Sequence, residues 1–307
     1  MSDKEMRYPP VSVAMATFNG GKFLEEQILS LLSQTHPPAE IIVTDDLSTD
    51  HTQDILEKYS RMGVLQYYRN QEQLGVVGNF KKAVSLTTAG NYIALCDQDD
   101  IWLPEKLETS LAVLQQTEQE ATPAMIYSDL WLMNEQGKHL NTTVQQQLGH
   151  HKYNHCLETL LFGNFVLGCT VLMNRHMKPY FADIPEEFPF NHDAWITLVA
   201  FCLGNVRQLD KPLIQYRHHS HNVTFKQVKQ ISRLQRLLQH ARNSFLNREY
   251  LEEQFVLVQL FYEKYHTIIP PEQEAMLKRF LSLRNKTYLQ KKLAFEVAFG
   301  QKWKNRF

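Results

Sequence analysis

Cysteine is scarce and scattered in this chain: Cys96, Cys156, Cys169 and Cys202 never form a CxxC pair, so neither a zinc ribbon nor a disulfide framework is encoded. They read as small buried residues in a reducing cytoplasm. No GxGxxG follows the first apolar run, Val11 to Met15, which removes the dinucleotide-binding fingerprint. Long hydrophobic runs are missing too. The longest, Ala194 to Leu203, is about half of what a membrane span needs, and Met1 to Met6 offers no signal-peptide core. The protein is therefore expected in the cytoplasm, soluble or peripheral on the inner face of the cell membrane. Repeats and low-complexity tracts are also lacking. A formal net charge of -1 argues for neither nucleic acid nor a general anionic partner, and no nucleic acid is expected.

With 307 residues, 43% of them hydrophobic, the chain can bury one large α/β core and carry an appendage. Its charge is unevenly placed. From Asn222 onward stand 16 Lys/Arg against 7 Asp/Glu, with 16 against 26 before it, so a basic tail follows an acidic domain.

Alternating signals predict strands at Val11–Met15, Glu40–Val43, Val64–Tyr68 and Asn91–Leu95. Helices are predicted at Lys22–Ser33, Asp50–Arg61 and Asn79–Leu86, which together read as crossovers of a mostly parallel sheet. Beyond Gln116 the alternation weakens. Met125–Met133 and Val166–Asn174 are expected as strands around a polar loop, His139–Asn154, with short strands at Val206–Leu209 and Leu213–Arg217. Gln227 to Phe307 is helical in composition, broken at Pro270-Pro271, and a boundary near Asn222 divides a catalytic domain, 1–222, from a helical region, 223–307.

Three carboxylates, Asp97, Asp99 and Asp100, end the run Asn91–Leu95. A parallel strand ends at the ligand-binding edge of an α/β sheet, and acids clustered there repel unless a cation or a proton offsets them. Oxygen donors favour Mg²⁺ or Mn²⁺, and such ions favour a phosphate-bearing substrate. The alternative is a solvated loop in which Asp100 caps the helix beginning near Pro104.

The wider motif series decides between them. Ala16-Thr17-Phe18-Asn19-Gly20, Asp45-Asp46-Leu47-Ser48-Thr49-Asp50, Gly75 to Phe80, and Asp97-Gln98-Asp99-Asp100-Ile101-Trp102-Leu103-Pro104 occur in that order, followed by His192-Asp193-Ala194-Trp195 and Tyr216-Arg217-His218-His219. This series, over roughly residues 11 to 222, resembles family 2 glycosyltransferases of the GT-A fold, in particular a bacterial branch described as rhamnosyltransferase-like. Phe18 stands where that branch usually has Tyr, and Leu47 where it usually has Gly. The resemblance implies an α/β fold with a mixed, mostly parallel central sheet and a C-terminal helical tail. It implies metal-dependent, inverting transfer of a sugar from a dTDP- or UDP-sugar, with L-rhamnose the first choice, to a hydroxyl of a bacterial surface glycan or lipid-linked glycan.

By the same resemblance, Thr17, Asn19, Asp46, Asn79, Asp97 and Arg217 line the nucleotide-sugar site, Asp46 reading the base. Asp99 and His219 hold Mn²⁺ or Mg²⁺, Asp193 is the catalytic base, and Gly168, Cys169, Thr170 and Trp195 border the acceptor. The residues leave alternatives open. Asp45 and Asp46 can make turn hydrogen bonds with Ser48 and Asp50. Asp193 can be an N-cap, Arg217 a structural ion pair, and His218, His219 and His221 a fortuitous zinc cluster. Trp102 reads as a packed aromatic rather than a sugar platform, and His150, His151 and His155 as a surface loop or a lid.

In the tail, Phe295, Phe299, Trp303 and Phe307 stand four apart among Lys291, Lys292, Lys302, Lys304 and Arg306. That stripe fits a peripheral membrane contact, or packing against the protein itself. Two other functions share the acidic cluster: a sugar-phosphate nucleotidyltransferase, which would need basic residues after the first strand, and a non-catalytic binding subunit of a glycan assembly complex.

Overall fold

The apolar runs near the start of the chain become strands covered on both faces. In a computed structural model describing residues 9–186, 188–219 and 250–300, β1 (Val11–Thr17), β2 (Glu40–Asp45), β3 (Gln66–Arg69) and β4 (Tyr92–Cys96) alternate with α1 (Gly21–Leu32), α2 (Thr52–Arg61) and α3 (Gly75–Leu86). Every residue of β2 and β4 is buried, and in β1 all but Ala16. Such continuous burial is characteristic of parallel strands sandwiched by helices.

Next come β5 (Ile101–Trp102), α4 (Lys106–Thr117), β6 (Ala124–Ser128), β7 (Trp131–Asn134), β8 (His139–Thr143), α5 (Val144–Leu148) and α6 (Leu157–Leu160). They are followed by β9 (Leu172–Asn174), α7 (Lys178–Ala182), α8 (His192–Leu203), β10 (Asn205–Leu209) and β11 (Ile214–His218). The last described elements are α9 (Glu252–Tyr265), α10 (Pro271–Leu281) and α11 (Tyr288–Gly300). A seven-stranded sheet runs β10-β6-β9-β4-β1-β2-β3, and β9 alone lies antiparallel to its neighbours β4 and β6. The sheet is thus mixed and mostly parallel. A smaller sheet runs β5-β11-β7-β8.

Three expected elements differ. Met125–Met133 is two strands in two sheets, because Asp129 Oδ1 accepts the N–H groups of Leu130 at 2.8 Å and Gln145 at 3.1 Å and turns the chain. Of Val166–Asn174 only Leu172–Asn174 is strand. Upstream, Gly168–Thr170 forms a 3₁₀ turn in which Thr170 Oγ1 donates to Leu167 O at 2.7 Å. The polar segment from His139 contains β8 and α5.

Contacts within the chain define two units, residues 1–148 with 166–217, and residues 149–165 with 218–307. The first holds both sheets. In the second, Phe255, Phe261, Leu277 and Phe280 are buried on α9 and α10. Phe295 and Phe299 of α11 stack on each other at 4.2 Å between ring centres and meet Phe162 edge-on at 5.6 and 6.2 Å. Packing, the alternative to a membrane face, is therefore what these two aromatics do. Trp303 and Phe307 lie outside the described residues. Among the described residues no helix is long and apolar enough to cross a membrane.

Candidate functional site

Strand register gathers the chemistry at one edge. Thr17 pairs with Asp45 and Met15 with Cys96, so Thr17, Asp45 and Asp97 leave the sheet together at the carboxyl ends of β1, β2 and β4, where open α/β sheets bind ligands. Thr17 Oγ1 donates to Asp45 Oδ1 at 3.0 Å, and Ser48 N–H to Asp45 Oδ2 at 3.0 Å. Asp45 is the residue that forms the turn. Asp46 accepts from Asn70 Nδ2 at 2.8 Å and from the N–H groups of Leu74 at 2.7 Å and Gly75 at 2.9 Å. Its carboxylate therefore sits at the amino end of α3, where the helix dipole favours a negative charge. Asn79 Nδ2 donates to Thr17 O and Thr44 O, both at 3.1 Å, and ties the ends of β1 and β2. Asn19 adopts a left-handed φ of 49° and accepts the Thr49 N–H at 2.8 Å. Thr17, Asn19, Asp46 and Asn79 thus line one hydrogen-bonded wall.

Gln98 crosses from the acidic segment to that wall. Its Nε2 donates to Phe18 O at 3.0 Å while Phe18 N–H donates to its Oε1 at 2.9 Å. A Cβ on Gly20 would stand 2.0 Å from that Oε1, so a side chain there would displace Gln98 from this pairing. Sequence reading missed Gln98, and no local pattern could reveal a pairing across 80 positions.

In the acidic cluster, carboxylate oxygens of Asp97 and Asp100 and the Cys169 thiol all lie within 4.8 Å of one another. The expected ligands Asp99 and His219 are not among these three. The reason is how β11 holds the loop. Arg217 N–H donates to Asp100 Oδ1 at 3.2 Å and turns that carboxylate inward, while Arg217 Nε donates to Asp99 O at 3.1 Å. Asp100 is consequently fully buried and not a helix cap; Glu105 occupies the N-cap position of α4.

Burial, then the charges of Asp99 and Asp193, pushes the Asp97 carboxyl up to about 7. Burial, then the charges of Asp99 and Asp97, hold the Asp100 carboxyl well above the usual carboxylate range. The Cys169 thiol is pushed up by burial and by Asp100 and Asp97, so without a cation it keeps its proton and donates to the carboxylates. Asp100 Oδ2 is buried without a hydrogen-bond partner. Nearby, Lys106 is fully buried with its Nζ 3.5 Å from the Trp102 ring centre and no hydrogen-bond partner, and burial lowers it to about 8. An acidic cluster that holds protons in the absence of a cation is the donor chemistry a hard divalent ion satisfies.

Arg217 is expected at phosphate, but protein partners engage all three of its nitrogens. Besides Asp99 O, NH1 donates to Glu135 O at 3.0 Å and NH2 to Glu26 Oε2 at 2.6 Å, and the guanidinium lies 4.5 Å from the Phe23 ring centre. The ion-pair alternative is the arrangement present.

Asp193 is the second residue of α8 and only 7% exposed; Asn191 holds the N-cap position instead. Its charge acts on Asp97, so the two carboxylates stand within electrostatic reach. Gly168 lies against the preceding residue, since a Cβ there would stand 2.6 Å from His192 Nε2. Gly168, Cys169 and Thr170 therefore fill the space between the acidic cluster and the start of α8. Trp195 is fully buried and edge-on to Phe188 at 5.6 Å, on a helix covered nearly all round. His219 directly follows β11 and belongs to the second unit, and His221 lies outside the described residues.

Residues 12–177 match the profile of glycosyl transferase family 2. Over 173 residues the chain is 31% identical to TuaG of Bacillus subtilis, a glycosyltransferase named for teichuronic acid biosynthesis, covering 54% of this chain and 63% of that protein's length. It is 34% identical over 105 residues to the dTDP-rhamnosyl transferase RfbG of Shigella flexneri, covering 33% of this chain and 36% of RfbG. Among solved structures, S. aureus TarS 1-349 in complex with UDP-GlcNAc superposes with a TM-score of 0.60 at 18% identity, over 95% of this chain and 80% of that one. The mannosyltransferase PcManGT of Pyrobaculum calidifontis, in complex with GDP-Man and Mn²⁺, gives 0.54 at 14% identity over 98% and 88%. These two likenesses carry the fold, the GT-A-type α/β arrangement followed by helices.

Proposed function

The chain belongs to glycosyl transferase family 2; from that premise we propose that it is a glycosyltransferase acting with nucleotide-sugar donors, metal-dependent and inverting. The donor is a dTDP- or UDP-sugar, dTDP-L-rhamnose first among them, and the acceptor a hydroxyl of a bacterial surface glycan. The observation that carries this reading is the placement of Asp193 within electrostatic reach of the acidic cluster at the end of β4. The 34% identity to a dTDP-rhamnosyl transferase supports the sugar.

Asp97 and Asp99 would hold the cation. When bound, the ion neutralises charge on the departing nucleoside diphosphate. The wall of Thr17, Asn19, Asp46 and Asn79 positions the nucleoside, and Gln98 fixes the Phe18 backbone beside it. Asp193 accepts the proton of the acceptor hydroxyl as its oxygen bonds to the anomeric carbon and the bond to diphosphate breaks. That placement yields inversion, since the base and the leaving group flank the sugar on opposite faces.

The experiment is transfer from dTDP-L-rhamnose and from UDP-sugars with and without Mn²⁺, the anomeric configuration of the product read by NMR. Asp193→Asn should keep nucleotide affinity and lose transfer by about 10² or more, because an amide cannot accept the proton. Retention of configuration, or near-normal turnover in that variant, overturns the assignment.

A further inference from the structure

A depression of about 670 Å³ opens between α3, α7 and the turn that precedes α7, all within the first unit. That volume lies inside the range of about 300–1,000 Å³ typical of small-molecule sites. It lies at the sheet edge away from the acidic cluster. Asn174 pairs with Tyr92, the first residue of β4, and Arg175 N–H donates to Asn91 O at 2.8 Å, whereas Asp97 follows the strand's other end. The five residues of β4 put about 17 Å between the two edges.

The lining has two chemistries. Val84, Pro123 and Phe181, all buried, supply apolar surface, and Lys81, Arg175 and Lys178 supply three positive charges. Among the described residues that line it there is no Asp or Glu. Asp183 acts on the Tyr180 hydroxyl from outside the lining. The two lysines are anchored on main-chain carbonyls rather than on acids: Lys81 Nζ donates to Ile184 O at 2.6 Å and Lys178 Nζ to Thr87 O at 2.7 Å. Among the described residues no ion pair engages either of them or Arg175. An ammonium held in this way keeps its charge and two further N–H donors, and Arg175 offers a planar fork, the donor set that phosphate oxygens fit.

A concave surface of one sign with apolar walls concentrates its field on a counter-ion. A bare anion would use the charges and leave the apolar floor exposed, whereas a phosphate carrying an apolar group uses both. We propose that this depression binds the headgroup of an anionic lipid, its phosphate on Lys81, Arg175 and Lys178 and its first apolar carbons against Val84, Pro123 and Phe181. The site belongs to the first unit and draws nothing from the basic tail.

The test titrates the full-length chain with dihexanoyl phosphatidic acid below its micelle concentration, with dihexanoyl phosphatidylcholine and with inorganic phosphate, by calorimetry and hydrogen–deuterium exchange. Phosphatidic acid is expected to bind and to slow exchange across 175–182, and the other two to bind at least about tenfold more weakly. Arg175 is exposed, so Arg175→Gln should fold normally and weaken phosphatidic acid binding about fivefold. Ala182→Trp, at an exposed lining position, fills the depression while keeping every charge and should abolish the protection. Lys138→Gln removes an exposed charge elsewhere in the same unit and should change nothing. Inorganic phosphate binding as tightly as phosphatidic acid would make this a free-anion site and overturn the lipid assignment. Equal weakening by Lys138→Gln, or binding that leaves exchange at 175–182 unaltered, would reduce the attraction to overall charge and overturn the site, as would no binding at all.

Discussion

Arg217 grips the acidic loop twice, its main-chain N–H on Asp100 Oδ1 at 3.2 Å and its side chain Nε on Asp99 O at 3.1 Å. β11, near the end of the first unit, thereby sets which carboxylate of the loop turns inward. A cation-binding loop gains from such fixing, because a carboxylate already oriented loses less freedom on binding.

Removing the guanidinium tests whether Arg217 is a strut. Its salt-bridge partner Glu26 is 56% exposed, so the ion pair itself contributes little. The carbonyls of Asp99 and Glu135 would lose their donor, and a buried side chain would vanish. Arg217→Met is expected to lower stability by about 2–4 kcal/mol, read by urea unfolding, with nucleotide affinity of the folded protein changed by less than about tenfold. A large loss of affinity at unchanged stability would return Arg217 to phosphate.

Metal binding should release a proton below neutrality. Asp97 is held at about 7 by burial and by the charges of Asp99 and Asp193, so at lower pH a cation must displace its proton. Mn²⁺ affinity is expected to fall about tenfold per pH unit below that point and to level off above it. Asp193→Asn removes one of the repelling charges and should move the break to lower pH. Asp99→Ala should abolish Mn²⁺-dependent nucleotide binding. Calorimetry between about pH 5.5 and 8 checks all three, and an affinity independent of pH would refute the linkage.

His192 gives a stability signature of its own. Burial lowers its ring to about 3, between Phe80 at 4.1 Å and Phe181 at 5.7 Å, and neither ring nitrogen has a hydrogen-bond partner. The folded value lies below the unfolded value near 6.5, so the unfolded chain binds the proton first. Stability from this group is complete above about pH 6.5 and is lost as pH falls toward about 3, at up to about 1.4 kcal/mol per pH unit. His192→Phe should flatten the acid side of the stability profile by that one-proton slope. The opposite-signed contribution of Asp97 in the same window cancels in the comparison. An unaltered slope would mean that the imidazole is already solvated.

How far the sequence reaches is visible in particular residues. β1, β2 and β4 were legible because parallel strands covered on both faces are apolar without interruption, and Asp97 was legible because it ends one of them. Asp129 hid the break between β6 and β7, since only its acceptance of the Gln145 N–H, from 16 positions away, distinguishes a turn from a polar residue in a strand. The Phe18–Gln98 and Asp100–Arg217 pairings span 80 and 117 positions and leave no periodic trace. The surroundings of Trp195 were hidden for a related reason. Its neighbours show an apolar helix, but a helix covered on every side gives no stripe to say which residues face a substrate.

Leu47 occupies a backbone conformation that its side chain disfavours, with a φ of 63° in the turn after β2. The resembled branch usually carries Gly there, and glycine alone adopts left-handed φ without steric cost. A residue with a Cβ loses about 1–2 kcal/mol in that region, while glycine costs about 0.4–1 kcal/mol through the greater freedom of the unfolded chain. The difference should leave Leu47→Gly more stable by about 0.5–1 kcal/mol, less whatever packing the half-buried leucine contributes. Branching at Cβ worsens the clash, so Leu47→Ile should be less stable than wild type by at least about 1 kcal/mol. The turn also presents Ser48, whose Oγ accepts the Asn19 N–H at 2.8 Å, so in the isoleucine variant nucleotide affinity should weaken together with stability. Urea midpoints in the order Gly, Leu, Ile, highest first, are the expected result. Equal midpoints for Leu and Ile would show that the turn relaxes and stores no strain.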